Sequence, residues 1–140
     1  MNPRRPPAAH ADAAPWRILR SAWFWRASLG ALIVAILYLA LKPVTPSDMS
    51  TGWDKLNHAL AFCALALTAC FSAPPSPRRL LLAAALLLGF GGAIELMQLR
   101  IPGRDAEWAD LLANTVGVVA GMLLATMSLR SKLLTASRRR

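Results

Sequence analysis

Apolar residues in this chain arrive in blocks. From Trp23 to Leu41, Leu56 to about Ala73, Leu80 to about Leu99 and Trp108 to Leu129 the sequence is dominated by Leu, Ala, Val, Ile and Phe. Each block has the length that a helix needs to cross a hydrocarbon layer roughly 30 Å thick. The blocks are separated by Lys42-Pro43, by Pro74-Pro75-Ser76-Pro77-Arg78-Arg79 and by Ile101-Pro102-Gly103, read as turns because proline cannot continue a helix. The pattern predicts an all-α fold, a four-helix transmembrane bundle. Trp23, Phe24 and Trp25 form an interfacial anchor beside Arg26. The membrane domain is expected over 23–129, between a basic Pro/Ala-rich tail (1–22) and a basic tail (130–140). The first fifteen residues, too poor in apolar groups to build a core, are expected to be disordered.

Composition agrees with this picture. Over 140 residues, 56% are apolar, more than a soluble domain of this size can hide. The net charge of +9 suggests nucleic acid only until the charges are located. Lys and Arg sit in the tails and short loops and never in the middle of an apolar block, which is the distribution of topology signals. Nucleic acid is therefore not expected as a partner. Twelve of these residues fall on the side of the two tails and the second loop, and four (Lys42, Lys55, Arg100, Arg104) on the other. The excess predicts that both termini are cytoplasmic, in an inner (cytoplasmic) membrane crossed several times. The first span also has the basic start of a signal peptide, but no small-x-small cleavage site follows it, so it is expected to be retained. Cys63 and Cys70, in one block, are about 10 Å apart on a helix. That is too far for a disulfide.

Polar residues inside the blocks are few and have related addresses. Asp54, Lys55, Asn57 and His58 stand at the start of the second helix, Glu95 and Gln98 at the end of the third, and Asp110 and Asn114 in the first turns of the fourth. The loop between carries Arg100, Arg104, Asp105 and Glu107. With these orientations all three groups reach the non-cytoplasmic face. Positions three, four and seven apart share a helix face, so Asp54 with His58, Glu95 with Gln98, and Asp110 with Asn114 form one polar stripe per helix. The fourth stripe continues into Gly117 and Gly121, a Gly-x-x-x-Gly that lets helices approach closely, and Gly91 or Gly92 takes that role one turn below Glu95. These stripes should face the bundle interior. Simpler roles exist for several residues: Asp110 suits a helix N-terminus, Lys55 can snorkel to the interface, and Asn114 can join helices. Glu95 is the hardest to explain that way, because a carboxylate on an apolar helix needs a partner. Arg104 or Lys55 is the expected one.

Three stretches taken together carry a resemblance. Asp54-Lys55-Leu56-Asn57-His58-Ala59-Leu60-Ala61-Phe62, then Glu95-Leu96-Met97-Gln98 with Pro102-Gly103-Arg104-Asp105, then Asp110-Leu111-Leu112-Ala113-Asn114-Thr115-Val116-Gly117 resemble the VanZ-like family. The resemblance implies a small bacterial envelope membrane protein, in a family whose founding member gives low-level resistance to the glycopeptide teicoplanin.

Two functional classes follow. In the first, the chain binds an anionic lipid or lipid-linked cell-wall-precursor headgroup at the outer leaflet. Lys55, Arg104 and Arg100 would hold phosphate or carboxylate, Asp54, Glu95 and Asp110 would hold those cations, and His58, Gln98 and Asn114 would add directed hydrogen bonds. In the second it is an intramembrane enzyme acting on a lipid or isoprenoid phosphate, with His58, Glu95 and Asp110 as catalytic candidates. An exporter fits the size, but would carry its ionisable residues near the bilayer midplane. One His and three carboxylates have the chemistry of a metal site, yet no fixed ligand spacing supports one, and no metal or cofactor is expected.

Overall fold

The computed structural model describes residues 21–42, 53–74, 76–102 and 107–137. Four helices run in chain order, α1 (Ala22–Leu41), α2 (Trp53–Phe71), α3 (Pro77–Gln98) and α4 (Trp108–Ser137), with no strand among the described residues. The expected disordered segment and Arg104 and Asp105 lie outside the described residues.

Three helices differ from the sequence expectation at an end. In α2 the helix begins at Trp53, so the polar Asp54-Lys55 turn is helical. In α3 it begins at Pro77: Ser76 is the N-cap, its side chain accepts from the Arg79 backbone N–H, and proline follows at the first helical positions. Proline there lacks a donor that would be unpaired anyway, and its fixed φ suits the first turn. A residue expected to break structure therefore starts it. In α4 the helix runs past Leu129 into the basic tail, reaching about 45 Å at 1.5 Å per residue.

By length and composition α1, α3 and Trp108–Leu129 of α4 are able to cross a membrane. The second helix does not reach that apolarity because Asp54, Lys55, Asn57 and His58 occupy its start. It is instead the helix that the others enclose. Phe62, Leu65 and Ala66 of α2, Leu87 of α3 and Val118 of α4 form the buried core, with Leu29, Leu32, Ile33 and Ile36 of α1 packed on it. No residue of α1 is itself buried. Leu81, Leu82 and Leu86 of α3 and Leu112, Val116 and Val119 of α4 face outward, as they would toward lipid.

Neighbouring helices are tied at their ends. Near the start of α1, Arg26 Nε donates to the Ser72 carbonyl at 3.1 Å, and the Trp25 and Phe71 rings lie 4.7 Å apart. At its finish, Gln98 Nε2 of α3 donates to the Ala40 carbonyl at 3.1 Å, one of the acceptors that a helix C-terminus leaves unpaired. Helices α2 and α4 run parallel and share the most extensive contact in the bundle.

That contact is made backbone to backbone. A Cβ added at Gly117 would collide with the Ala59 carbonyl oxygen, and one added at Gly121 with the Cys63 carbonyl oxygen. Gly91 of α3 is also closely packed, but against side chains, a Cβ there meeting Asn114 Nδ2 at 2.8 Å and Phe62 at 3.1 Å. Between the two glycines expected in that role the structure selects Gly91, since a Cβ at Gly92 meets nothing within 4 Å.

These surroundings give the substitutions opposite signs. A methyl group gains up to about 1 kcal/mol of helix propensity over glycine, but overpacking costs roughly 1–3 kcal/mol, and a backbone carbonyl cannot rotate away. Gly117→Ala and Gly121→Ala are expected to lower the melting temperature in detergent, and Gly92→Ala to leave it unchanged or raise it. Equal effects at Gly92 and Gly117 would show that the α2–α4 approach is not tight.

Candidate functional site

The polar cluster forms at the end of the bundle where α2 and α4 begin and α1 and α3 finish. Its register is inherited from the glycine contact. With Gly117 pressed on the Ala59 carbonyl, Asn114, one turn earlier on α4, is level with His58. The His58 Nδ1 lies 3.1 Å from Asn114 Oδ1. An amide oxygen only accepts, so Nδ1 carries the proton and, in the neutral ring, Nε2 carries the lone pair. Asn114 is 1% exposed, its amide fixed between His58 and the bare backbone of Gly91.

On the other side of the ring, His58 Nε2 lies 3.9 Å from Asp110 Oδ2. Asp110 is buried. Its second oxygen, Oδ1, has no hydrogen-bond partner among the described residues, but Lys55 Nζ approaches to 3.8 Å, within Coulomb range and too far for a hydrogen bond. Asp54, exposed on the first turn of α2, completes the group: one ligand-type atom from each of Asp54, His58 and Asp110 lies within 4.8 Å of the others.

The Lys55 ammonium makes its short contact with Glu107 Oε2, at 2.8 Å. Of the two cations expected for Glu95, Arg104 or Lys55, the lysine is thus engaged with other carboxylates. Glu107 was not among the expected site residues. No spacing rule joins residues 52 positions apart, and the only available signal was that an acid just before a helix suits the positive end of its dipole. Lys55 holds the Glu107 carboxyl below the usual carboxylate range. A lowered carboxyl pKa stabilises the fold above the unfolded value and is lost as pH falls through the folded one. Both groups are about half exposed, so the pair contributes little and should weaken with salt.

Glu95 is buried on α3, and neither of its carboxylate oxygens has a hydrogen-bond partner among the described residues. The Glu107 backbone amide faces it without completing a bond of normal geometry, and the charges it feels most are Asp110, His58 and Asp54. Gln98, expected to face a ligand, is buried and its amide nitrogen is committed to the Ala40 carbonyl. It closes α1 against α3. Of the expected site residues, then, the structure gathers Asp54, Lys55, His58, Asp110 and Asn114 directly, sets Glu95 beside them, and uses Gln98 to join helices. Arg104 lies outside the described residues.

Chemically, the cluster combines an oriented imidazole, a buried carboxylate opposite its lone pair and, among the described residues, more acidic than basic groups: Asp54, Glu107 and Asp110 act on Lys55, with Glu95 close by. It can accept a proton at Nε2, coordinate a cation, or bind a ligand that brings positive charge or its own counter-ion.

The VanZ/LLP1 family model matches residues 18–130, which contain all four helices except the last turns of α4. No curated protein and no solved structure matches the chain.

With Lys55 committed elsewhere, the cation expected to hold Glu95 is Arg104. Glu95→Gln and Arg104→Gln should each lower thermal stability in detergent, and the double variant should lose less than the sum by on the order of a few kcal/mol. Glu95→Gln with Lys55→Gln should be additive. Additivity in both pairs would leave Glu95 a neutral, protonated acid.

Proposed function

The chain belongs to the VanZ/LLP1 family, and from that premise we propose that it binds an anionic lipid or cell-wall-precursor headgroup at the outer face of the bacterial inner membrane. The carrying observation is the convergence of Lys55, His58, Asp110 and Asn114 at one rim of the bundle. A rim site meets headgroups, whereas a transport site belongs near the midplane. The excess of Lys and Arg at the opposite end supports an outward-facing rim with both termini cytoplasmic. Arg100, Arg104 and Lys55 supply cations for phosphate or carboxylate, and the family context extends the reading to glycopeptide (teicoplanin) resistance.

A second reading has its own support. The fixed Nδ1 proton and the Nε2 lone pair beside Asp110 are the arrangement of an imidazole set up for proton transfer, so an intramembrane enzyme acting on a lipid or isoprenoid phosphate is the alternative.

Topology is tested by reporter fusions. Those after Arg79 and Arg140 should report cytoplasm, and those after Asp48 and Arg104 the exterior. The reverse pattern would end the envelope reading. For the ligand, mass spectrometry of lipids retained by purified protein should find an anionic species that is depleted in the Arg104→Ala, Lys55→Ala double variant. An unchanged lipid profile would refute headgroup binding through these cations. Hydrolysis of an isoprenoid phosphate, abolished by His58→Gln, would favour the enzyme.

A further inference from the structure

The cluster contains an unusual gap. His58 Nε2, which carries a lone pair once Nδ1 donates to Asn114, faces the Asp110 carboxylate across 3.9 Å. With a neutral ring, two electron-rich atoms then lie close together in a partly buried site, which is unfavourable unless a ring proton or a bound cation offsets them. At 3.9 Å a ring proton would give an ion pair but no hydrogen bond. Ligands bonded to one ion at about 2.1 Å each stand roughly 3–4.2 Å apart, depending on the angle between them. The gap is thus wide enough for a metal ion, and the Asp54 carboxylate, within 4.8 Å of both, is exposed and can rotate inward as a third ligand.

Two further observations lie outside that triad. Asn114, 1% exposed, fixes the His58 tautomer through Nδ1, which is the role that an outer partner plays for a metal-ligating histidine. Behind the triad, Glu95 is more than nine-tenths buried, with neither oxygen hydrogen-bonded among the described residues, next to Asp110 and His58. Among the described residues, Asp54, Glu107 and Asp110 all act on the one Lys55 ammonium, which leaves carboxylate charge in excess at the triad. A dication relieves both problems.

The geometry points to a divalent metal site of the zinc or manganese class, formed by Asp54, His58 and Asp110 and oriented by Asn114. One imidazole nitrogen with two carboxylates is the donor set that such ions accept. The remaining coordination positions lie on the exposed Asp54 side, open to water or to an oxygen of a bound headgroup. Lys55 remains on the far oxygen of Asp110 and on Glu107, so it does not compete for the ligand atoms facing His58.

The test uses full-length protein in phosphatidylcholine nanodiscs, stripped with a chelator and titrated with the metal alone. Electron paramagnetic resonance should show one Mn²⁺ bound per chain, displaced by Zn²⁺, and Zn²⁺ should raise the melting temperature. Asp54→Asn, on an exposed position, should keep the metal-free melting temperature of the wild type while weakening Mn²⁺ at least about tenfold. His58→Gln and Asp110→Asn should weaken it similarly. Absence of a stoichiometric Mn²⁺, or equal affinity in Asp54→Asn and wild type, would overturn the site. Because no anionic lipid is present, that failure leaves headgroup binding untouched, and loss of headgroup binding leaves the metal titration unaffected.

Discussion

The close approach of α2 and α4 at Gly117 and Gly121 is the constraint on which the rest of the molecule depends. Both glycines rest on backbone carbonyls, those of Ala59 and Cys63, leaving no side chain to adjust the distance. In lipid there is little hydrophobic gain in bringing two apolar helices together, so dispersion contact and small residues decide where they meet. Contact at this distance fixes rotation and axial register together. His58 adjoins Ala59, and Asn114 precedes Gly117 by one turn, so one packing decision sets the imidazole on the amide. Asp110, a further turn up, falls opposite Nε2 for the same reason.

Once that register is set, the charges have few alternatives. Asp110 is drawn into the bundle by helix periodicity, and Lys55, one turn before Ala59, reaches its Oδ1 only at 3.8 Å while contacting Glu107 at 2.8 Å. The shorter contact is the more exposed one. This is physically sensible, because a lysine keeps most of its hydration at the rim and loses it only by moving inward. The result is a graded site, with its solvated ion pair on the outside and the buried Asp110 and Glu95 carboxylates within.

Much of this was legible in the sequence, and the limits follow from what periodicity encodes. Block length gave four helices, and i, i+4 spacing gave the inward stripe of Asp110, Asn114, Gly117 and Gly121, because both depend only on residues near one another in the chain. Helix ends were less legible. Pro77 is a helix breaker by composition, but with Ser76 before it the same residue is a start signal, and polar Asp54 and Lys55 fit a helix N-terminus as readily as a loop. Pairings between helices were least legible. Lys55 had several acids to choose from, and the choice of Glu107 depends on where the α3–α4 connection returns. Gln98 and the Ala40 carbonyl are joined by nothing in the sequence except that a helix end must find donors.

Helix α2 explains why the site belongs at a rim. Its first turns are too polar for it to act as a free-standing span, yet its remainder is the most enclosed part of the bundle, with Phe62, Leu65 and Ala66 almost inaccessible. A helix of that kind is stable only if its polar turn remains near headgroups and water while its apolar length is covered by neighbours. Moving His58 toward the midplane would bring Asp54 and Lys55 along, at a cost of several kcal/mol for desolvated charge. Moving it outward would break the fit of Ala59 and Cys63 to the glycines of α4. The imidazole is therefore held at the depth where α2 changes from wet to dry. At that depth Nε2 is sheltered enough for a charge opposite it to matter and exposed enough for a ligand to arrive from the membrane surface.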